Sequence, residues 1–208
     1  MPKGPVIGSM FIAGALIDEK DEQALRDLGV RDSKMISPKK REFLEKEIKG
    51  IAKEWHTVEV TAELIDSLRK KMSLNEVEAL KIAELLELFK IKPDLMIIDL
   101  PDPTEASFVR RISKYTDSDV KIKAEHKAED KFPPVGAASI LAKTARDRSV
   151  RELEKETGHV FGSGYPSDPQ TQEFIKNHAT EECKFIRHSW ITARRSIKPK
   201  TQKKLAEF

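Results

Sequence analysis

Three acids stand where carboxylates could work together. Asp99 closes the apolar run "DLMIIDL", while Glu129 and Asp130 lie in "AEHKAEDKFPPV", between a strand-like stretch and a helical one. Ligand sites in α/β folds gather at the carboxyl ends of strands. An ionised carboxylate ending a buried strand is expensive unless a cation meets it. Acids from separate strand ends make a hard-oxygen site of the kind that suits Mg²⁺ or Mn²⁺. Each acid also has an ordinary explanation: Asp99 as a turn or capping residue in "DLPDP", Glu129 and Asp130 as acids opening a solvated helix. His126 has no second histidine at metal spacing and reads as a hydrogen-bonding residue.

Cations and one aromatic could serve a polyanion. "GSGYPSDP" mounts Tyr165, one of only two tyrosines, between glycines. A tyrosine so placed can stack on a sugar or base, and it can equally be a packed turn residue. "RDSK" (31–34), Lys143, Arg146, Arg148 and the basic end "RRSIKPKTQKK" could meet phosphates; plain surface charge explains them as well.

The elements that must hold these residues are legible from periodicity. Residues 5–17 read as a long strand or bent hairpin, and "DEKDEQALRDLGV" as a short charged helix ending at Gly29. Ser37 as cap and Pro38 at the first position open a helix with Phe43, Leu44, Ile48, Ile51, Ala52 and Trp55 along one face. "HTVEV" alternates as a strand, two helices follow, and Pro93 shuts off the second. "DLMIIDL" has the look of a buried central strand. A helix over 105–115, a strand at "DVKIKAEHK" and a long helix near 135–157 that stops at Gly158 come next; Asp168-Pro169 caps the last clear helix. That order indicates α/β with a mixed sheet.

The chain has 208 residues, 38% hydrophobic and 35% charged, with a formal net charge of +3. This suits one domain with a small appended lobe. The single Cys183 excludes an internal disulfide framework and fits a reducing cytoplasm. No apolar run reaches the roughly 18 residues of a membrane span. The opening imitates a signal peptide only until Gly4, Pro5, Gly8, Ser9 and Gly14 interrupt it.

From residue 3 to about 197 the chain resembles archaeal-type ribonuclease HII. "KGPVIGSM", "LGVRDSK", "MSLNEVEA", "IIDLPDP", "AEHKAEDKFPPVGAASILAKTARD" and "GSGYPSDPQT" carry the likeness in order and spacing. The resemblance implies a ribonuclease H-like five-stranded mixed sheet flanked by helices, spanning 1–158, with a helical C-terminal extension over 159–208. It implies an endonuclease that cuts the RNA strand of RNA–DNA hybrids and ribonucleotides embedded in DNA; a cytoplasmic monomer is the expectation. Two Mg²⁺ or Mn²⁺ ions would drive the cut, leaving 5′-phosphate and 3′-hydroxyl ends. Asp99 matches the third of the family's four carboxylates. Glu129 stands where the fourth, an aspartate, is expected, with Asp130 displaced by one. Tyr165 matches the residue that stacks at an RNA–DNA junction. Lys3 and Gly4 match the end of a turn whose backbone reads the 2′-hydroxyl. Lys34, Ser139 and Lys143 complete the expected substrate-binding set.

The opening departs from that pattern. The turn should follow a strand ending in Asp-Glu, the first two acids, where this sequence has Met1-Pro2. The expectation is a start codon placed too late, with a catalytically silent hybrid-binding paralogue as the rival and a single-metal site from Glu129, Asp130 and Asp102 as the third reading. Loss of a central strand should leave such a fold marginal or rearranged. "QKKLAEF" at the end sets Gln202, Leu205 and Phe208 at the spacing of sliding-clamp-binding peptides; a frayed basic helix is the alternative. A dinucleotide-binding reading fails, because "GPVIG" lacks the G-x-G-x-x-G pattern and precedes a strand.

Overall fold

The computed structural model describes residues 4–30, 36–178, 180 and 182–196. After the segment 4–9 comes strand β1 (Met10–Leu16), then α1 (Glu22–Asp27), α2 (Pro38–Ile51) and β2 (Glu54–Val60). The chain continues through α3 (Ala62–Arg69), α4 (Leu74–Leu88), β3 (Leu95–Asp99), α5 (Glu105–Ile112) and β4 (Lys121–Glu125). It ends in α6 (Ala128–Lys131), α7 (Pro133–Thr157), α8 (Pro169–His178) and α9 (Ile191–Ser196). Four of the helices open on a hydroxyl that accepts from the third amide inside: Ser37 for α2, Thr61 for α3, Ser73 for α4 and Thr104 for α5. Gly29 and Gly158 adopt positive φ (71° and 69°) as helix terminators.

The chain divides into two compact units. The larger holds residues 11–59 and 72–148, the smaller 1–10, 60–71 and 149–208. A single boundary at Gly158 does not coincide with this division, because residues 4–8 are hydrogen-bonded to the chain near 164 and 185–187.

In the larger unit β1 pairs with β2, and β3 pairs in parallel with β4 from Leu95↔Lys121 to Asp99↔Glu125. Among the described residues the expected five-stranded sheet is thus replaced by two pairs, and the central strand ending in Asp-Glu that the resemblance implies has no counterpart there. β3 consequently has one strand neighbour among the described residues, and its apolar residues are half-exposed rather than buried. One core cluster joins Leu25, Leu44, Ile48, Ala137, Ile140 and Leu141. A second joins Ala79, Ala83, Leu100, Phe108, Ile112 and Ala124, so α5 closes over β4 and α4. Gly136 makes α7 fit: a Cβ there would lie 2.6 Å from the Val30 carbonyl oxygen. Two expected core residues lie outside. Phe43 is 55% exposed, and Trp55 belongs to β2 instead of α2, with the Lys49 ammonium 3.8 Å from its ring centroid.

In the smaller unit Phe161, Phe174 and Phe185 form an aromatic core, with Phe161 edge-on to Phe174 at 4.6 Å. Asp66 of α3 accepts the amides of His188 and Ser189 at 2.7 and 2.9 Å. No helix among the described residues is long and apolar enough to cross a membrane.

Candidate carboxylate site and nucleic-acid-binding residues

Asp99 ends β3 as an exposed carboxylate. The Leu100 amide donates to the Glu125 carbonyl, extending the parallel pairing past the strand end. Lys127 then turns the chain in the left-handed region (φ 57°), a conformation a non-glycine residue seldom takes. The turn aims the Ala128 N–H at Asp99 Oδ1, 3.0 Å away. One hydrogen bond therefore ties the end of β3 to the start of α6, next to Glu129.

Glu129 is 7% exposed, which discards the solvated helix-start explanation. Its Oε2 accepts from the Ser139 hydroxyl at 2.9 Å and meets the Lys143 ammonium at 3.4 Å; Lys143 also donates to Ser139 Oγ at 3.0 Å. Ser139 and Lys143 stand one turn apart on α7, so one helix face supplies both. Both residues expected to bind substrate therefore contact the Glu129 carboxylate in this structure. Asp130 is exposed, and its amide closes the turn onto the Lys127 carbonyl. Arg148 is paired with Glu45 at 2.8 Å, and Arg146 lies 3.6 Å from Asp147, which also holds Arg41. Both arginines thus have carboxylate partners in this structure.

Asp102 cannot join a metal site. It is 2% exposed and accepts from Asn75, from Ser107 Oγ (3.1 Å) and from Arg111 Nε (2.8 Å). Arg111 reaches on to Glu76, which also takes Lys114 (3.0 Å) and the Tyr115 hydroxyl (2.9 Å). This network pins the loop following Asp99 to α4 and α5. Sequence reasoning missed it; its one signal is that Ser107 and Arg111, a turn apart on α5, face the same way. The Lys114 hydrogen bond leads in holding the Glu76 carboxyl at about 2, with Tyr115 and Arg111 adding to it. Burial works against ionised Asp102, yet hydrogen bonds from Arg111, Asn75 and Ser107 outweigh it and keep that carboxyl below its usual range.

Glu78 is the opposite case. Burial, with the Asp102 charge in addition, pushes its carboxyl from 4.5 up to about 7. A raised acid stabilises nothing below pH 4.5, where both states are protonated; its penalty on the folded state builds between 4.5 and about 7 and is constant above that. The gap between 4.5 and about 7 corresponds to roughly 3 kcal/mol at most. Glu78→Gln is therefore expected to raise Tm at pH 8 by about 4–10 °C and to leave it unchanged at pH 4, read by scanning calorimetry.

The donor chemistry fits a hard divalent ion. Mg²⁺ is held by one or two carboxylates and fills its remaining positions with water and phosphate oxygens, and Asp99 at the end of β3 and Glu129 on α6 are two carboxylates on segments joined by the Ala128–Asp99 hydrogen bond. Among the described residues no group of three or more His, Cys, Asp or Glu could hold a metal, so Asp130 does not complete a cluster with them.

In the smaller unit Tyr165 is 40% exposed on a loop built to hold it. Gly162 and Gly164 take positive φ (67° and 73°), and a Cβ on Gly162 would sit 2.8 Å from Asp168 Oδ2. Asp168 accepts the Ser163 and Gln170 amides at 2.7 and 2.9 Å, closing the loop and starting α8 as the sequence predicts. Gly4 lies beside Arg187 and Trp190. Lys3, Lys34 and the tail residues Gln202, Leu205 and Phe208 fall outside the described residues.

Parallel strands flanked by helices, with carboxylates at their ends, define an α/β protein of the ribonuclease H-like kind. The ribonuclease H2 of Pyrococcus horikoshii OT3 superimposes with a TM-score of 0.83 at 38% identity, covering 94% of this chain and 92% of that one. An Archaeoglobus fulgidus ribonuclease HII solved in complex with PCNA matches with a TM-score of 0.75 at 39% identity, over 85% of this chain and 82% of that one. The ribonuclease HII of Methanothrix thermoacetophila is 44% identical over 196 residues, 93% of this chain and 92% of that protein. Residues 2–193 fit the ribonuclease HII family model. The chain belongs to the ribonuclease HII family, the type 2 ribonucleases H.

Proposed function

We propose that the protein is an endonuclease that hydrolyses the RNA strand of RNA–DNA hybrids and ribonucleotides embedded in DNA, leaving 5′-phosphate and 3′-hydroxyl ends. The observation that carries this reading is the hydrogen bond from Ala128 to Asp99, which seats Asp99 beside the Glu129 segment. Asp99 and Glu129 would hold Mg²⁺ or Mn²⁺, with Asp130 at the rim. The bound ion supplies an activated water and steadies the leaving oxygen. Ser139 and Lys143 fix the Glu129 carboxylate in place, so its extra methylene relative to aspartate is absorbed by a defined hydrogen-bonded position. Tyr165 stacks on the sugar at the junction, and the Lys3–Gly4 backbone reads the 2′-hydroxyl. Lys34 grips phosphate, so binding weakens as salt rises.

The test is a hybrid duplex with a labelled RNA strand, incubated with Mg²⁺ or Mn²⁺ and with a chelator. Metal-dependent scission is expected. Salt-sensitive retention of the duplex without product would instead leave a catalytically silent hybrid-binding protein.

The C-terminal peptide extends the reading to a partner. Gln202, Leu205 and Phe208 have the spacing of a clamp-binding peptide, and the similar A. fulgidus protein was solved with its clamp. Phe208→Ala is expected to weaken binding to an archaeal sliding clamp by at least about tenfold in calorimetric titration, as loss of an apolar anchor does. Unchanged affinity would reject the partner.

A further inference from the structure

The segment 4–8 is held on both sides within the smaller unit. On one side the amides of Val6 and Ile7 donate to the Gly164 carbonyl at 2.7 and 3.3 Å. On the other, Ile7 bridges Ile186 antiparallel, the Gly8 amide donates to the Phe185 carbonyl, and the Arg187 amide donates to the Val6 carbonyl at 2.9 Å. The segment carrying Gly4 and the loop carrying Tyr165 are therefore one hydrogen-bonded body. Gly164 is fixed in turn, since its amide donates to Thr171 Oγ1, which donates to the Phe161 carbonyl.

Arg187 closes this body from beneath. It is 2% exposed, its Nε donates to the Gly8 carbonyl at 2.9 Å, and its guanidinium lies 5.0 Å from the Trp190 ring centroid. A Cβ on Gly4 would sit 3.8 Å from Arg187 Nη1 and 3.9 Å from Trp190 Cζ2, so cation and indole form the floor under that glycine. Burying a guanidinium is costly. A buried cation that grips the Gly8 carbonyl, from a residue whose own amide holds the Val6 carbonyl, and that lies beside Gly4 fixes the height and direction of the turn. The geometry points to Arg187 as a positioning residue for ribose recognition: it sets the Gly4 backbone and, through Val6 and Gly164, the Tyr165 loop in mutual register, so that discrimination of ribonucleotide from deoxyribonucleotide depends on it. This role rests on the proposed function, which gives Gly4 and Tyr165 their substrate contacts.

The test compares a duplex containing one ribonucleotide with an all-DNA duplex of the same sequence, both at low salt with divalent metal chelated. Affinities are read by fluorescence anisotropy. The wild type is expected to prefer the ribonucleotide. Arg187→Met is expected to lose about tenfold on the ribonucleotide duplex and less than twofold on DNA, collapsing the ratio. Arg187→Lys keeps the charge but not the Nε donor or the planar face, so its ratio should fall in between. A wild type that holds both duplexes equally removes the functional reading itself. A discriminating wild type overturns the positioning role alone if Arg187→Met keeps the ratio or loses equally on both duplexes. Should Arg187→Met fail to fold, an unchanged ratio in Arg187→Lys overturns it.

Discussion

Asp99→Asn is expected to lower metal-dependent cleavage of an RNA–DNA hybrid by about 10³-fold or more while leaving hybrid binding intact. Asparagine is nearly the same size and its Oδ1 can still accept the Ala128 amide, so the tie between β3 and α6 survives. What disappears is the negative charge that a hard cation requires of its ligand. Asp99 is exposed, so the exchange buries no new unsatisfied group and Tm should move by less than about 2 °C. Removing an anion facing a polyanion should, if anything, tighten the duplex. The readout is product formation on a denaturing gel beside anisotropy of the same duplex. A variant that cuts as fast as the wild type would dissociate Asp99 from catalysis; one that loses binding and cleavage together would make Asp99 a structural residue.

Much of the frame that carries Asp99 could be read from the chain alone, because its signals are local. Ser37 with Pro38 announces α2, Gly29 and Gly158 announce helix ends, and Asp168 announces α8 through hydrogen bonds spanning five residues or fewer. Asp99 was legible as the acid ending an apolar strand. Features that depend on distant partners were not. The burial of β3 depends on how many strands flank it, and with β4 its one neighbour among the described residues the apolar run stays half-exposed. Trp55 continues the apolar period of α2 on paper, but the helix ends at Ile51 and the residue turns up in β2. Ser139 and Lys143 could be placed on one helix face, yet nothing in their spacing indicates that Glu129 is what they hold. Arg187 is the extreme case, bonded to a carbonyl 179 residues earlier. Pairings of that kind carry no periodicity, since only the closed fold brings the two segments together.

The Arg111 network carries the largest expected effect on stability. Arg111→Met keeps the length and apolar stem but removes the cation that spans Asp102 and Glu76. Asp102 is 2% exposed and, among the described residues, would be left with Asn75 and Ser107 as its donors, whereas Glu76 keeps Lys114 and Tyr115. Removing one partner of a buried pair costs about 3–5 kcal/mol. The remaining donors place the expectation near the lower end, a Tm loss of about 6–12 °C at pH 7. The pH dependence has a definite sign. Both carboxyls sit below their ordinary values of 3.8 and 4.5, so their contribution is complete above that range and fades as pH falls, for Glu76 through about 2. The gap between wild type and Arg111→Met should hence be full above about pH 5 and narrow below pH 4, where protonation relieves the stranded Asp102. Adding Asp102→Asn to Arg111→Met should recover part of the loss, although Asp102→Asn alone destabilises the wild type. Additive costs in that cycle would show that the two groups do not act together. Because Asp102 lies three residues beyond Asp99, a loosened loop should also slow cleavage, and the double variant should restore rate and stability in parallel.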